Sequence, residues 1–289
     1  MKILKELLEQ LDYTCERGSL EKRVEAVVYD SRKVVKNCLF ICIKGANFDG
    51  HQAAYQAAAD GAAAILACGE VSVPEDSEVT LIRVEDTRYA MAFVAAAWFD
   101  HPAEKLTTIG ITGTKGKTTT TYLVKSILEN AGRKVGLVGT IETIIGSEHI
   151  HAVNTTPESW ILQEYFDRMV KAGCDTVVME VSSQALMLHR TQGFLFDFGI
   201  FTNLESDHIG PNEHESFEDY MRCKGLLFKQ CKVGIANGDD AHWKAVTQGH
   251  TCCLETYGMS EGADLRAKDL IFTNHQGHLG VSFRTEGLL

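Results

Sequence analysis

Closely spaced glycines, hydroxyls and lysines fall together in Gly113-Thr114-Lys115-Gly116-Lys117-Thr118-Thr119, a combination suited to holding a phosphate chain. Glycines let backbone N–H groups close around phosphate oxygens, and a helix that starts at the loop adds the positive end of its dipole. Lys117 is placed to reach the β- and γ-phosphates of ATP, and Thr118 to offer its hydroxyl to Mg²⁺. The spacing is shorter than the common G-x-x-x-x-G-K-[ST], whose first glycine would fall on Ile111. The competing reading is a glycine turn that only joins a strand to a helix. A lysine and a threonine at these offsets disfavour it.

Further polar clusters follow apolar runs. One is Glu180-Val181-Ser182-Ser183, the other Thr202-Asn203-Leu204-Glu205-Ser206-Asp207-His208. A hard magnesium ion takes carboxylate, hydroxyl and phosphate oxygens, which Thr118 and Glu180 supply. His208 is a less usual ligand, but its place after Asp207 at a strand end favours a role there. Lys224, in the helical run Tyr220–Phe228, reads by pattern alone as a solvated lysine. Asp30-Ser31-Arg32 reads equally well as a polar turn and as a ligand loop.

Positioning these groups requires a strand through Leu106, Ile109 and Ile111 and a helix carrying Tyr122, Leu123, Ile127 and Leu128, stopped by Gly132. Upstream, a small α/β domain is predicted. It has an amphipathic helix over residues 1–11, strands at Val24–Tyr29, Cys38–Ile43, Ala62–Ala67 and Leu81–Val84, and helices at Gln52–Asp60 and Thr87–Phe99. His101-Pro102 breaks the last helix and sets the boundary between domains 1–104 and 105–289. In the second, strands Val135–Val138, Thr176–Val181, Phe198–Phe201 and Val233–Ala236 alternate with helices. One helix, Pro157–Ala172, has Thr156 placed as N-cap, and the end reads as a hairpin of Asp264–Thr273 with Leu279–Arg284. The order predicts an α/β protein whose second domain is a doubly wound, mostly parallel P-loop ATPase domain, incomplete at its C-terminal end.

The balance of 28 basic and 39 acidic residues, a net charge of −11, argues against a nucleic-acid or membrane-surface binder. Nine cysteines without a C-x-x-C pair read as free thiols in a reducing compartment. The N-terminus interleaves charges among its leucines, unlike a signal peptide, and no run is long enough to span a bilayer. A cytoplasmic monomer is the expectation. The sequence stops at Leu289 directly after a strand and reads as cut off.

Taken in order, Asp30-Ser31-Arg32, Gly113–Thr119, Asn154-Thr155-Thr156-Pro157, Glu180-Val181-Ser182-Ser183, His189-Arg190, Thr202-Asn203-Leu204 with Asp207-His208, and Lys224 resemble the Mur ligases, ATP-dependent peptide-bond-forming enzymes of bacterial cell-wall synthesis. The resemblance covers the whole chain and is nearest to the branch that adds the third stem-peptide residue. It implies that Ser31 and the Gly45–His51 loop hold the uridine-diphosphate end of UDP-MurNAc-dipeptide. Asn154, Thr155, Thr156, Ser182 and Arg190 would hold its muramoyl-peptide part. Lys224 matches a lysine that the family carries as N6-carboxylysine, binding a second Mg²⁺ with His208.

The implied reaction activates the substrate carboxylate with ATP and passes the acyl-phosphate to an incoming amino acid, lysine or meso-diaminopimelate. Two departures stand out: Ile209–His214 replaces a tyrosine–histidine–glycine stretch, and Leu188 stands where some members carry glutamine. The adenine-lining motif and the amino-acid-binding domain would follow residue 289, so these 289 residues alone are expected to be inactive. A folylpolyglutamate-synthase-like ligase, a substrate-binding module without turnover and a general P-loop NTPase are the alternatives.

Overall fold

The computed structural model describes residues 1–45, 48–207, 209–210, 213–275 and 277–287, without the side chains of His275 and His278. The chain divides into two compact units. The first is Met1–Pro102 with Glu158–Glu164 and Leu188–Phe194; the second is Ala103–Pro157, Tyr165–Met187 and Leu195–Leu289.

In the first unit, short β-branched and aliphatic runs build a five-stranded sheet in the order Thr14–Arg17, Thr80–Arg83, Ala64–Ala67, Cys38–Ile41, Ala26–Val28. The last four are parallel and Thr14–Arg17 runs antiparallel at the edge. Alternate residues feed two cores: Leu39, Ile41, Ala64 and Leu66 pack with Leu4, Leu7 and Met91, while Cys38, Phe40, Ile65 and Ala67 pack with Ala54, Ala57 and Ala58. The edge strand carries no apolar alternation, which is why pattern reading passes over it.

The expected helix over residues 1–11 is only Leu4–Leu7. Lys2–Ile3 pairs instead with Arg23–Val24, and the N–H groups of Leu4 and Lys5 donate to Lys22 O and Leu20 O. Strand pairing thus takes the backbone that a longer helix would need. Helix Thr87–Trp98 starts where Asp86 accepts from Arg88 N (2.7 Å) and Tyr89 N (2.9 Å).

The second unit holds a ten-stranded sheet. Its order is Glu148–His151, Glu142–Ile145, Val135–Val138, Thr176–Glu180, Thr107–Thr112, Phe196–Phe201, Cys231–Asn237, Cys253–Gly258, Leu265–His275, His278–Gly287. From Val135–Val138 to Leu265–His275 every neighbour is parallel, and each margin is an antiparallel hairpin. The mostly parallel sheet and the terminal hairpin match the sequence reading; the Glu142–His151 hairpin and Cys253–Gly258 are additions to it. The order of the central strands turns back on either side of Thr107–Thr112, and ligands of such sheets bind at the C-terminal strand ends there. Ile109, Ile111, Val135 and Val178 form its core under Val124 and Leu128 of helix Lys117–Asn130.

Helix Ser159–Lys171 begins two residues after Pro157, so Thr156 is not its N-cap. All nine cysteines are free. Among the described residues no helix is long and apolar enough to cross a membrane.

Candidate active site

Strand Thr107–Thr112 delivers the chain into the glycine loop, and the loop's shape is set by the neighbouring strand end. Thr202 Oγ1 donates to Lys115 O (2.8 Å), Asn203 Oδ1 accepts from Lys115 N (2.9 Å), and Thr114 N donates to Asn203 O (2.9 Å). The Thr202-Asn203-Leu204 motif is therefore a clamp on the loop backbone. Gly113 has φ +152°, and a Cβ built there would lie 2.0 Å from Thr202 Oγ1. Gly116 sits in the left-handed region at φ +80° and opens helix Lys117–Asn130. Gly113→Ala is expected to destabilise the protein by about 2–3 kcal/mol through overpacking and loop displacement. A denaturant titration checks this, and an unchanged midpoint would contradict the clamp.

Lys117 Nζ donates to Gly113 O (2.9 Å) and Thr114 O (3.1 Å), curled over the loop. Lys224 Nζ donates to the same Gly113 O (2.8 Å) and lies 4.3 Å from the centre of the Tyr220 ring. Lys224 is 1% exposed, which overturns its pattern reading as a solvated lysine. Helix Phe217–Gly225 puts Tyr220 and Lys224 four residues apart on its buried face. Burial, and then the charge of Lys117, push the Lys224 amine down to about 6. Burial also lowers Lys117, opposed by Glu180 and Asp207. Two amines thus converge on one carbonyl oxygen of the loop.

Glu180 ends strand Thr176–Glu180 and is 1% exposed. Its Oε2 accepts from Thr118 Oγ1 (3.0 Å) and Thr140 Oγ1 (3.1 Å), its Oε1 from Thr140 N (2.8 Å). Thr140 Oγ1 in turn shares a 3.0 Å hydrogen bond with Thr155 Oγ1. This set of a buried carboxylate and hydroxyls beside the phosphate loop suits a hard divalent cation. Thr156 Oγ1 donates to Glu180 O (2.9 Å) and accepts from Ser182 N (3.1 Å), fixing the strand end rather than a helix start. Ser182 Oγ accepts from Ala185 N (3.1 Å), capping the short helix Ser183–Met187.

Lys115 is exposed and paired with Glu205, Thr119 lies exposed in the first helical turn, and Asn154 is exposed. His208 lies outside the described residues. The second unit thus brings together Gly113, Thr114, Lys117, Thr118, Thr155, Glu180 and Lys224. Sequence reasoning missed Tyr220 and Thr140. The signals were a tyrosine four residues before Lys224 and a hydroxyl just past strand Val135–Val138.

The first unit has its own cleft, a cavity of about 710 Å³ lined by Tyr29, Ser31, Arg32, Phe48, Arg88 and Glu158 among others. Asp30 caps the turn Ser31–Lys33 and holds the Arg32 guanidinium through Nε (2.9 Å) and Nη2 (2.8 Å). Those bonds hold its carboxyl at about 2. Glu158 binds Arg88 Nη1 (3.1 Å) and Arg190 Nη2 (2.9 Å), gathering two guanidinium groups on one carboxylate. Phe48, 52% exposed, lines the cleft. Ser31 and Arg190 therefore belong to this unit. Arg88, Glu158 and Phe48 were not singled out from sequence.

A glycine loop leading from a central parallel strand into a helix, with lysine, hydroxyl and buried carboxylate around it, is the arrangement of a P-loop. Residues 111–287 match the family model described as Mur ligase middle domain, and residues 23–99 match Mur ligase family, catalytic domain. The chain belongs to the Mur ligase family. It is 42% identical over 273 residues to the UDP-N-acetylmuramoyl-L-alanyl-D-glutamate–2,6-diaminopimelate ligase of Clostridium perfringens, covering 93% of this chain and 56% of that one.

A solved structure of a ligase of that name superposes with a TM-score of 0.81 at 24% identity, covering 99% of this chain and 57% of that one. The MurF ligase of Thermotoga maritima in complex with ADP superposes at 0.54 with 23% identity, over 92% of this chain and 56% of that one. The chain spans a little over half the length of the curated relative it matches.

Proposed function

We propose that this chain forms the UDP-sugar-binding part (residues 1–104) and the ATP-binding part (residues 105–289) of a cytoplasmic ligase that adds the third amino acid to UDP-MurNAc-dipeptide. The observation that carries the reading is the convergence of Lys117, Lys224 and the Thr118–Glu180 pair on one phosphate loop. In this reading the substrate carboxylate attacks the γ-phosphorus, ADP leaves, and the amine of the incoming amino acid displaces phosphate from the acyl-phosphate, losing a proton.

Lys117 lies along the phosphates and stabilises the charge that shifts to the leaving ADP. Mg²⁺, held by Thr118 and Glu180 with Lys224 as N6-carboxylysine and His208, would neutralise phosphate charge. A neutral Lys224 amine adds to CO₂ through its nitrogen lone pair and releases one proton, which places a carboxylate where the side chain now carries an amine. The name of the Clostridium perfringens relative favours 2,6-diaminopimelate over lysine as the incoming amino acid.

The cleft around Ser31 and Phe48 suits a uridine diphosphate, with the exposed ring as a stacking platform. Within the second unit, the muramoyl-peptide part would fall to Asn154, Thr155, Thr156 and Ser182. Phe48→Ala is expected to weaken binding of UDP-MurNAc-dipeptide to the chain about tenfold, stacking being worth about 1–3 kcal/mol per base. Isothermal titration measures it, and an unchanged affinity removes the base from this cleft.

The reading as a whole is tested by ADP release from the full-length ligase, this sequence within a chain of its relatives' length. Release should require both UDP-MurNAc-dipeptide and meso-diaminopimelate. Release with a folate and glutamate would instead support the folylpolyglutamate alternative, and release without any acceptor a general NTPase.

A further inference from the structure

Behind the phosphate loop lies a buried chain of hydrogen bonds that the reaction as described does not use. His214 is fully buried. Its Nδ1 donates to Asp219 Oδ2 (2.9 Å), and its Nε2 lies 2.8 Å from Ser183 Oγ. A carboxylate can only accept, so Nδ1 carries a proton and donates to Asp219, while Nε2 pairs with the Ser183 hydroxyl. The ring is thereby fixed at both nitrogens. Its ring centre lies 5.1 Å from that of Tyr220, the two planes tilted by 53°, and Tyr220 OH shares a 3.1 Å hydrogen bond with Thr114 Oγ1 of the phosphate loop. The Lys224 amine lies over the same Tyr220 ring, 4.3 Å from its centre.

Ser183, His214 and Asp219 have the order of a nucleophilic triad, but Ser183 is only 5% exposed and its hydroxyl points at a fully buried ring. Nothing can reach it for group transfer. His214, Asp219 and Cys223 also offer ligand atoms within 4.8 Å of one another. Arg222 Nη2, 2.7 Å from Asp219 Oδ1, sets a fixed positive charge against a cation there. What remains is a mechanical role. The serine belongs to the corner that follows Glu180 and Ser182, the aspartate to the helix that carries Lys224, and the histidine spans the two.

We propose that His214, braced by Ser183 and Asp219, is a positioning residue. It holds Tyr220, and through it the Lys224 amine, at a fixed place against the Glu180 strand end and the phosphate loop. This rests on the proposed ligase reading, in which Lys224 serves the metal. Loss of the brace then acts on the metal requirement and on kcat, and leaves the affinity for UDP-MurNAc-dipeptide in place. An amide can replace the imidazole, its oxygen accepting from Ser183 and its NH₂ donating to Asp219. An isosteric alkyl group cannot.

The test uses the full-length ligase and follows ADP release as Mg²⁺ is varied. His214→Leu and Ser183→Ala should each raise the Mg²⁺ concentration for half-maximal rate and lower kcat, by about tenfold or more for His214→Leu, the usual cost of removing a group that orients a metal ligand. His214→Gln should recover most of that loss. A purely structural role would lower melting temperature and the active fraction without moving the Mg²⁺ midpoint. An unmoved midpoint in Ser183→Ala, which removes one hydroxyl and little volume, overturns the proposal even if His214→Leu fails to fold. A wild-type full-length chain that releases no ADP with UDP-MurNAc-dipeptide and meso-diaminopimelate defeats the ligase reading itself.

Discussion

Lys117→Ala in the full-length ligase is expected to lower kcat by about a thousandfold or more while the affinity for UDP-MurNAc-dipeptide stays within a few-fold. The lysine hangs over the loop on Gly113 O and Thr114 O, so its ammonium is already where the β- and γ-phosphates would lie. Lys115 is exposed and tied to Glu205, and Lys224 is held behind the loop on the Tyr220 ring, so neither can stand in. Single-turnover ADP formation checks the effect apart from product release. Turnover within a few-fold of wild type would remove Lys117 from the reaction.

Lys224→Ala should be nearly inactive too, but in a different way: acetate or a similar short carboxylate should restore part of its rate. The amine's depressed affinity for protons, about 6 against an ordinary lysine's 10.5, leaves it neutral at pH 7–8 and able to take up CO₂. Wild-type rate should therefore fall as pH drops through about 6 and in buffers stripped of bicarbonate. The same shift bears on stability. Between about 6 and 10.5 the unfolded chain holds a proton that the folded chain does not, so this group's contribution is full above 10.5 and is lost as pH falls through about 6. Lys224→Met should flatten that part of the pH–stability curve. A variant that turned over normally without bicarbonate would end the carboxylysine role.

Much of this fold was legible because parallel strands buried on both faces are continuous apolar runs, as in Cys38–Ile41 and in Val177-Val178-Met179. The phosphate loop was legible because its chemistry is local, five residues from Gly113 to Lys117 followed by a hydroxyl. What escaped was non-local. Thr14–Arg17 is a polar edge strand that exists only by pairing with Thr80–Arg83. Thr156 looks like a helix cap beside Pro157, yet its hydroxyl is spent on Glu180 O and Ser182 N, 24 and 26 residues away. Lys224 looks solvated until its helix is packed. Helical spacing alone does not say whether the face carrying Tyr220 and Lys224 turns inward.

The clamp of Thr202 and Asn203 on the glycine loop joins groups 87 to 90 residues apart in the chain. Closing so long a segment costs entropy that only a formed sheet repays. The loop's conformation is thus borrowed from the docking of strand Phe196–Phe201 against Thr107–Thr112 and cannot be acquired by the strand–loop–helix segment on its own. Nucleotide affinity is therefore expected to arise late in folding, and a lesion that loosens those two strands is expected to reach the phosphate site before it unfolds the domain.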